Sequence, residues 1–412
     1  MSSNPLRYAV TIDTIGRKAL WQLEAGEAGV RGDGSKEAEE AICPFLICTK
    51  TSLRLVSGVR TEHGDIYDCV DINKQPALDH PLLNHHRIQM RPSSFPEGIT
   101  REASSKEEDL EIELSNGGCS QGTVPIRRTR KEDLIKAKSF LNKHHPNIHL
   151  LTDTDSSFHF AQTLTTSEDT AYYGAQANIN VYNPSVSQNQ YSEALIWLSN
   201  GPPDRTNCIE VGWAVNPQFY GDNLTRLTSY WTVDGFKTGC VDTSCPGFVQ
   251  TNPKKPLGIP IVPVSTYHGE QYIFKISVFQ DNVSKNWWLV AGRDNAVIGY
   301  WPKSIFNTLS SYASQIVWAG DIYSPTSELI MPPMGSGHFP NEGYGGASFF
   351  KQIQVVKDNA FVDPDESTLE TFTDKPNCYG VGGKSNEVHG PGYHFFFGGP
   401  GGICGTREVQ SF

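Results

Sequence analysis

In the stretch Cys208-Ile-Glu-Val-Gly-Trp-Ala-Val215, Ile209, Val211, Trp213 and Val215 recur with period two, the spacing that sends successive side chains to opposite faces of a strand. Four large apolar groups on one side mark the core face. Glu210, Gly212 and Ala214 share the other. A solvated face more often carries Thr, Lys or Ser, so a carboxylate between two small residues reads as having room above it for a ligand. The alternative is an exposed or paired strand glutamate.

Gln315-Ile-Val-Trp-Ala-Gly-Asp-Ile-Tyr323 repeats the pattern. Ile316, Trp318 and Ile322 alternate with Val317, Ala319, Asp321 and Tyr323, and Asp321 again follows small residues. If the two strands were neighbours, Glu210 and Asp321 would form an acid–base pair, because close like charges raise one pKa and let the site hold a proton.

From about residue 170 onward, short strands separated by turn clusters continue outward from these two. In 176–182, Ala177, Ile179 and Val181 share a face; in 274–279, Phe274, Ile276 and Val278 do. Segments 193–199, 286–291 and 353–356 read as buried on both faces. Residues 302–313 resemble a short helix opened by Pro302, with Ile305, Phe306, Leu309 and Tyr312 inward. Upstream, 59–125 is polar and turn-rich, 129–143 fits an amphipathic helix through Leu134, Ala137 and Leu141, and 144–166 reads as a polar link. The fold class is all-β: an antiparallel β-sandwich of roughly 240 residues preceded by a smaller α+β unit. The chain divides as 1–58, loosely structured; 59–150, the smaller unit; 151–167, the link; and 168–408, the sandwich.

Composition agrees. The 412 residues include 38 Gly and 26 Pro, aromatics reach 11% and charged residues only 19%. A net charge of −11 argues against nucleic acid as a partner, since duplex binding needs clustered cations. The best apolar run, 41–48, is short and broken by Pro44, so it is neither a signal peptide nor a membrane span. Nine cysteines include Cys69 and Cys119 in the polar region, Cys240 and Cys245 five apart, and Cys378 and Cys404 near the end. Three bridges would suit an oxidising compartment, with connectivity open from spacing alone. Sequons at Asn223 and Asn282 fit the same compartment. The start does not, and reads as disordered or mis-joined.

Other motifs fail on context. Val381-Gly-Gly-Lys-Ser385 has Cys378 where a phosphate loop needs Gly, and Gly335-Ser-Gly-His338 lacks a nucleophile elbow. Asp13-Thr14 and Asp153-Thr154 lack the Gly of an aspartic-protease turn. The pairs His85-His86 and His144-His145 read as solvated surface rather than metal ligands.

Longer motifs carry a resemblance. Residues 64–81 (GDIYDCVDINKQPALDHP), Arg87-Ile-Gln-Met-Arg-Pro92 and Gly122-Thr-Val-Pro-Ile-Arg-Arg128 resemble the activation peptide of the neprosin family of plant glutamic peptidases. Tyr173-Gly-Ala-Gln-Ala, Tyr220-Gly-Asp-Asn, Tyr230-Trp-Thr, Gly239-Cys240, Asn286-Trp-Trp, Gly299-Tyr-Trp-Pro302, Met334-Gly-Ser-Gly-His-Phe-Pro340 and Phe397-Gly-Gly-Pro-Gly401 resemble its catalytic domain. The likeness runs from about 59 to 408 and leaves 1–58 unmatched.

This resemblance implies a secreted zymogen, inhibited by its own propeptide, that hydrolyses peptides or proteins at acidic pH, including after proline. It implies no metal or cofactor, and a monomer without membrane or nucleic-acid partners. The family's two catalytic glutamates fall at Glu210, in I-E-x-G-W, and at Asp321, where G-G-E reads A-G-D. The implied disulfides are Cys240–Cys245, Cys378–Cys404 and Cys69–Cys119, leaving Cys208 as a buried thiol. Asp321 keeps the charge but withdraws it by one methylene, about 1.5 Å. That change motivates the alternative: a weakly active or inactive sandwich that binds cell-wall glycans or peptides.

Overall fold

The computed structural model describes residues 57–99, 108–114, 117–128, 157–167, 170–382 and 392–404. Residues 1–56, the helix expected over 129–143, Asp153-Thr154, His144-His145 and the end of the 381–385 motif lie outside them.

Among the described residues, numbered in chain order, seven strands form one antiparallel sheet. Its order is β10 (Cys240–Val241), β9 (Thr225–Thr232), β8 (Asn207–Val215), β7 (Tyr191–Asn200), β15 (Gln315–Tyr323), β5 (Phe158–Thr165) and β18 (Leu369–Thr373). The second sheet runs β11 (Val249–Gln250), β14 (Ala296–Trp301), β13 (Trp287–Ala291), β12 (Tyr272–Gln280), β6 (Gly174–Asn180), β16 (Ser348–Lys357), β20 (Tyr393–Gly398) and β19 (Gly380–Gly382). β17 (Ala360–Val362) pairs with β16, and β3 (Glu108–Asp109) runs parallel to the start of β12.

The sandwich follows from the alternation. Ile209, Val211, Trp213 and Val215 of one sheet and Ala177, Ile179, Phe274, Ile276 and Val278 of the other join a single buried cluster. Two indoles cross the gap: Trp213 Nε1 donates to the Asn180 carbonyl at 3.0 Å and Trp318 Nε1 to that of Gln176 at 3.4 Å. A buried indole N–H thereby finds its acceptor on the facing sheet.

The region before the sandwich forms a small antiparallel sheet of β1 (Ser57–Arg60), β2 (Ile66–Asp71) and β4 (Thr123–Arg127), tied by the Cys69–Cys119 disulfide. From it, Leu110, Ile112 and Leu114 insert into the sandwich's main core. The bridges Cys240–Cys245 and Cys378–Cys404 are formed, and Cys208 is a buried free thiol.

Three local expectations change. Within the segment read as a polar link, Phe158–Thr165 is strand β5, hydrogen-bonded to both β15 and β18. Its His, Gln and Thr side chains are buried, His159 Nδ1 lying 2.6 Å from Asp374 and Thr165 Oγ1 accepting from the Ile316 N–H, so polar composition does not mark an exposed link. Residues 302–313 form two 3₁₀ turns, Lys303–Ile305 and Thr308–Ser310, rather than one helix. Ile305, Phe306 and Leu309 are inward as expected, while Tyr312 is exposed. His86 is half-buried, its Nε2 2.7 Å from the Tyr300 hydroxyl, whereas His85 is exposed.

Candidate active site

The outer face of the seven-stranded sheet carries the carboxylates. On β8, Glu210 stands opposite Trp197 of β7 and Tyr230 of β9. Two residue pairs further along the sheet, Ala214, Glu193 and Asp321 line up across β8, β7 and β15. The intervening row is Gly212, Leu195 and Ala319. Period two therefore places Glu210 and Asp321 on one face, two strands apart. The strand between them supplies a third acid, Glu193, directly opposite Asp321.

All three are buried, at 1%, 2% and 5% exposure for Glu210, Asp321 and Glu193. Phe160, Tyr191, Leu195, Trp197, Tyr230 and Tyr323 pack around them in a second apolar cluster. Burial, and then the Glu210 charge, pushes the Asp321 carboxyl well above the usual range, against a hydrogen bond from Glu193 that pulls it down. Burial, followed by the charges of Asp321 and Glu210, raises Glu193 as well. The Cys208 Sγ lies 3.6 Å from Glu210 Oε1; burial and that charge push its thiol up, so it stays protonated and is not a nucleophile. Asp321 Oδ1, Glu193 Oε1 and Trp197 Nε1 are buried without a hydrogen-bond partner. Such orphans are rare and call for a missing partner, such as water or substrate.

The small residues beside the acids have a different cause from the one their sequence suggested. A Cβ on Gly212 would lie 1.9 Å from the Ala194 carbonyl oxygen, so close packing of β8 on β7 demands glycine there. Gly320 faces the core, where a Cβ would meet Phe397 at 2.3 Å and Met334 Sδ at 2.8 Å. Each glycine is thus required by a close approach within the sandwich.

In the sequence Glu193 stands as the first residue of the apolar segment 193–199, which hides its place on the outer face. β7 begins two residues earlier, and the alternation Tyr191, Glu193, Leu195, Trp197 would have placed a mid-strand acid on the outer face. Further off, Asp242 is fully enclosed; burial pushes its carboxyl up to about 6, against hydrogen bonds from the Ser229 N–H and the Tyr220 hydroxyl. A carboxyl raised by folding stabilises the fold below its folded value and loses that contribution as pH rises through it. The sandwich is therefore expected to denature at a higher urea concentration at pH 5 than at pH 7.5, with Asp242 alone contributing about 1.4 kcal/mol.

The other singled-out residues lie elsewhere. His338 stacks on Tyr267 and pairs with Glu342, away from any serine nucleophile arrangement. Asn223 and Asn282 are exposed, Asn282 donating to Asn359 at 2.7 Å. Among the described residues, no group of three or more His, Cys, Asp or Glu side chains is arranged to hold a metal ion, and no helix is long and apolar enough to cross a membrane.

The family model described as neprosin matches residues 188–400, and that of the neprosin activation peptide matches 58–171, in that order along the chain. The chain belongs to the neprosin family. The first match holds Glu193, Glu210 and Asp321. Among solved structures, the chain is similar to scytalido-glutamic peptidase with a peptide-based transition-state analogue, at 11% identity and a TM-score of 0.30, covering 58% of this chain and 97% of that one. It is similar to the same degree to SCP-B, a member of the Eqolisin family, in complex with the tripeptide Ala-Ile-His, covering 58% of this chain and 96% of that one.

Proposed function

We propose that this neprosin-family chain is the zymogen of an acid-acting endopeptidase whose reactive groups are Glu210 and Asp321. The observation that carries the reading is the pair's placement: two buried carboxylates on one sheet face, one of them with an unpartnered oxygen. Burial and mutual charge keep a proton at Asp321 well above the ordinary carboxylate range, so Asp321 is the acid and Glu210 the base. Glu210 takes a proton from water as the C–O bond forms. Asp321 gives its own to the leaving nitrogen as the C–N bond breaks, and exchange with solvent restores both.

On this reading the full chain is inactive, and peptide reaches the buried carboxylates once the activation region has been removed. Peptides carrying proline before the scissile bond are the substrate class the family implies. Three disulfides support export to an oxidising compartment.

The test is incubation of the full chain at about pH 4, near carboxylate pKa values. Cleavage between residues 125 and 170, followed by hydrolysis of proline-containing peptides, is expected. An uncleaved chain, with no hydrolysis even after removal of residues 1–156 by an added protease, would leave a binding protein instead.

A further inference from the structure

We propose that Glu193 is a positioning residue of the peptidase site: paired with Asp321 across the β7–β15 ladder, it fixes the shorter carboxylate and leaves Asp321 Oδ1 as the oxygen that meets the substrate. The inference rests on the peptidase reading and adds a third acid to it.

The ladder sets the geometry. Glu193 and Asp321 are directly opposed on adjacent strands, and their side chains are hydrogen-bonded. The oxygens without partners are Glu193 Oε1 and Asp321 Oδ1, so the bond uses Glu193 Oε2 and Asp321 Oδ2. Two carboxyls bond only if one carries a proton; in the proposed arrangement it sits on Glu193 Oε2, so that Asp321 Oδ2 accepts. With Oδ2 occupied as an acceptor, a proton on Asp321 resides on Oδ1. The groups that act on the pair by charge are Glu210, Asp242 and Asp374, the last held 2.6 Å from His159 Nδ1, and the pair in turn raises the Tyr191 hydroxyl beside it. These three act on it by charge; the direct bond to Asp321 comes from Glu193.

This arrangement answers the missing methylene. A carboxylate set back by one bond would otherwise swing between rotamers, and misplacement of about 1 Å can cost roughly 10²-fold in rate. Glu193 holds Asp321 from the side in one orientation.

The experiment uses the full chain, allowed to process itself in acid, and compares Glu193→Leu, Glu193→Gln and Asp321→Glu. Glu193→Leu leaves the buried Asp321 Oδ2 without its partner, at a cost in stability, so circular dichroism at the assay pH checks its fold and Glu193→Gln, which keeps a donor, is compared beside it. Glu193→Leu is expected to lower kcat by about 10²-fold with KM changed less than about 2-fold. Without the donor, the alkaline limb of its kcat profile moves up by about half a pH unit or more. Glu193→Gln, whose amide still donates to Oδ2, keeps kcat within about 10-fold and the limb near its wild-type position. Asp321→Glu does not raise kcat in the wild-type background, but recovers about 10-fold or more in Glu193→Leu, where reach alone is limiting.

A Glu193→Leu enzyme with wild-type kcat and pH profile overturns the proposal. So does a gain in kcat for Asp321→Glu alone, a result that needs no folded Glu193→Leu. If the wild-type chain cleaves nothing under any condition, the peptidase reading falls and takes this role with it; that outcome is distinct, because wild-type cleavage is the control.

Discussion

A Glu210→Gln chain is expected to fold normally, remain full-length at pH 4, and hydrolyse peptides about 10³–10⁴-fold more slowly once its activation region has been removed by an added protease. Folding should survive because glutamine is isosteric and keeps an oxygen for the Cys208 thiol, 3.6 Å away in the wild type. The amide also removes a charge from a site with 1% exposure, where an ionised group is costly. The chemistry does not survive, because an amide cannot take a proton from water. A signature independent of turnover accompanies the loss. The Glu210 charge raises Asp321, Glu193, Tyr191 and Tyr230, so the substitution lowers all four. Infrared titration of protonated carboxyls should show the remaining buried acids ionising at lower pH. Single-turnover assays of wild type and variant, processed identically, decide the kinetic part. Equal rates would remove Glu210 from the reaction and favour a binding function for the sandwich.

The sandwich and two of its three acids were legible because strand periodicity is a local signal. Ile209 to Val215 and Ile316 to Ile322 announce their core faces without reference to any neighbour, and the structure places both sets in one core. What periodicity cannot carry is strand order. β8 follows β7 as a hairpin, but bringing Glu193 against Asp321 depends on the pairing of β7 with β15, segments more than a hundred residues apart. β5 was missed for a related reason. Its His159, Gln162, Thr163 and Thr165 look solvated in sequence, yet all are buried between paired strands, with His159 Nδ1 2.6 Å from Asp374 of a distant segment. The glycines illustrate the converse: Gly212 and Gly320 stand out in the sequence, but the reason for each lies in the backbone or side chain it touches rather than in its sequence neighbours.

Removing the carboxylate of Asp65 is expected to accelerate conversion of the zymogen at mildly acid pH by about 10²-fold, equivalent to roughly 3 kcal/mol of lost docking. Asp65 belongs to the activation region and is buried against Arg226 of β9, with Oδ2 2.9 Å from Nη2. Its other oxygen accepts from Arg127 Nε at 3.0 Å, and Arg127 in turn donates to the Tyr220 carbonyl at 2.8 Å. Both guanidiniums lie over the Tyr220 ring, at 5.5 and 5.2 Å. Arg226 keeps Asp222 and the Gly258 carbonyl when Asp65 is lost, so the sandwich retains its own pairing while the activation region loses its buried anchor. Acid works on the same contact surface from other points. Burial pulls His80 and His86 below their ordinary 6.5. Their contribution is complete above that value and is lost as pH falls below it, because the released chain binds protons that the docked one refuses. His80 Nδ1 accepts from the Leu82 N–H, a bond that protonation ends. Burial pushes the Asp281 carboxyl up, but hydrogen bonds from Ser284, Gln89 and Ser93 outweigh it and hold it below 3.8, so this anchor fails only at lower pH. Asp242, Asp321 and Glu193 shift the opposite way and favour the folded sandwich as pH falls. Acid thus weakens docking while strengthening the domain that is released. Conversion followed on gels from pH 7 to pH 4 should begin near 6.5 for wild type and at higher pH for Asp65→Ala. Superimposable time courses, from a variant with unchanged circular dichroism, would show that this buried ion pair does not hold the zymogen closed.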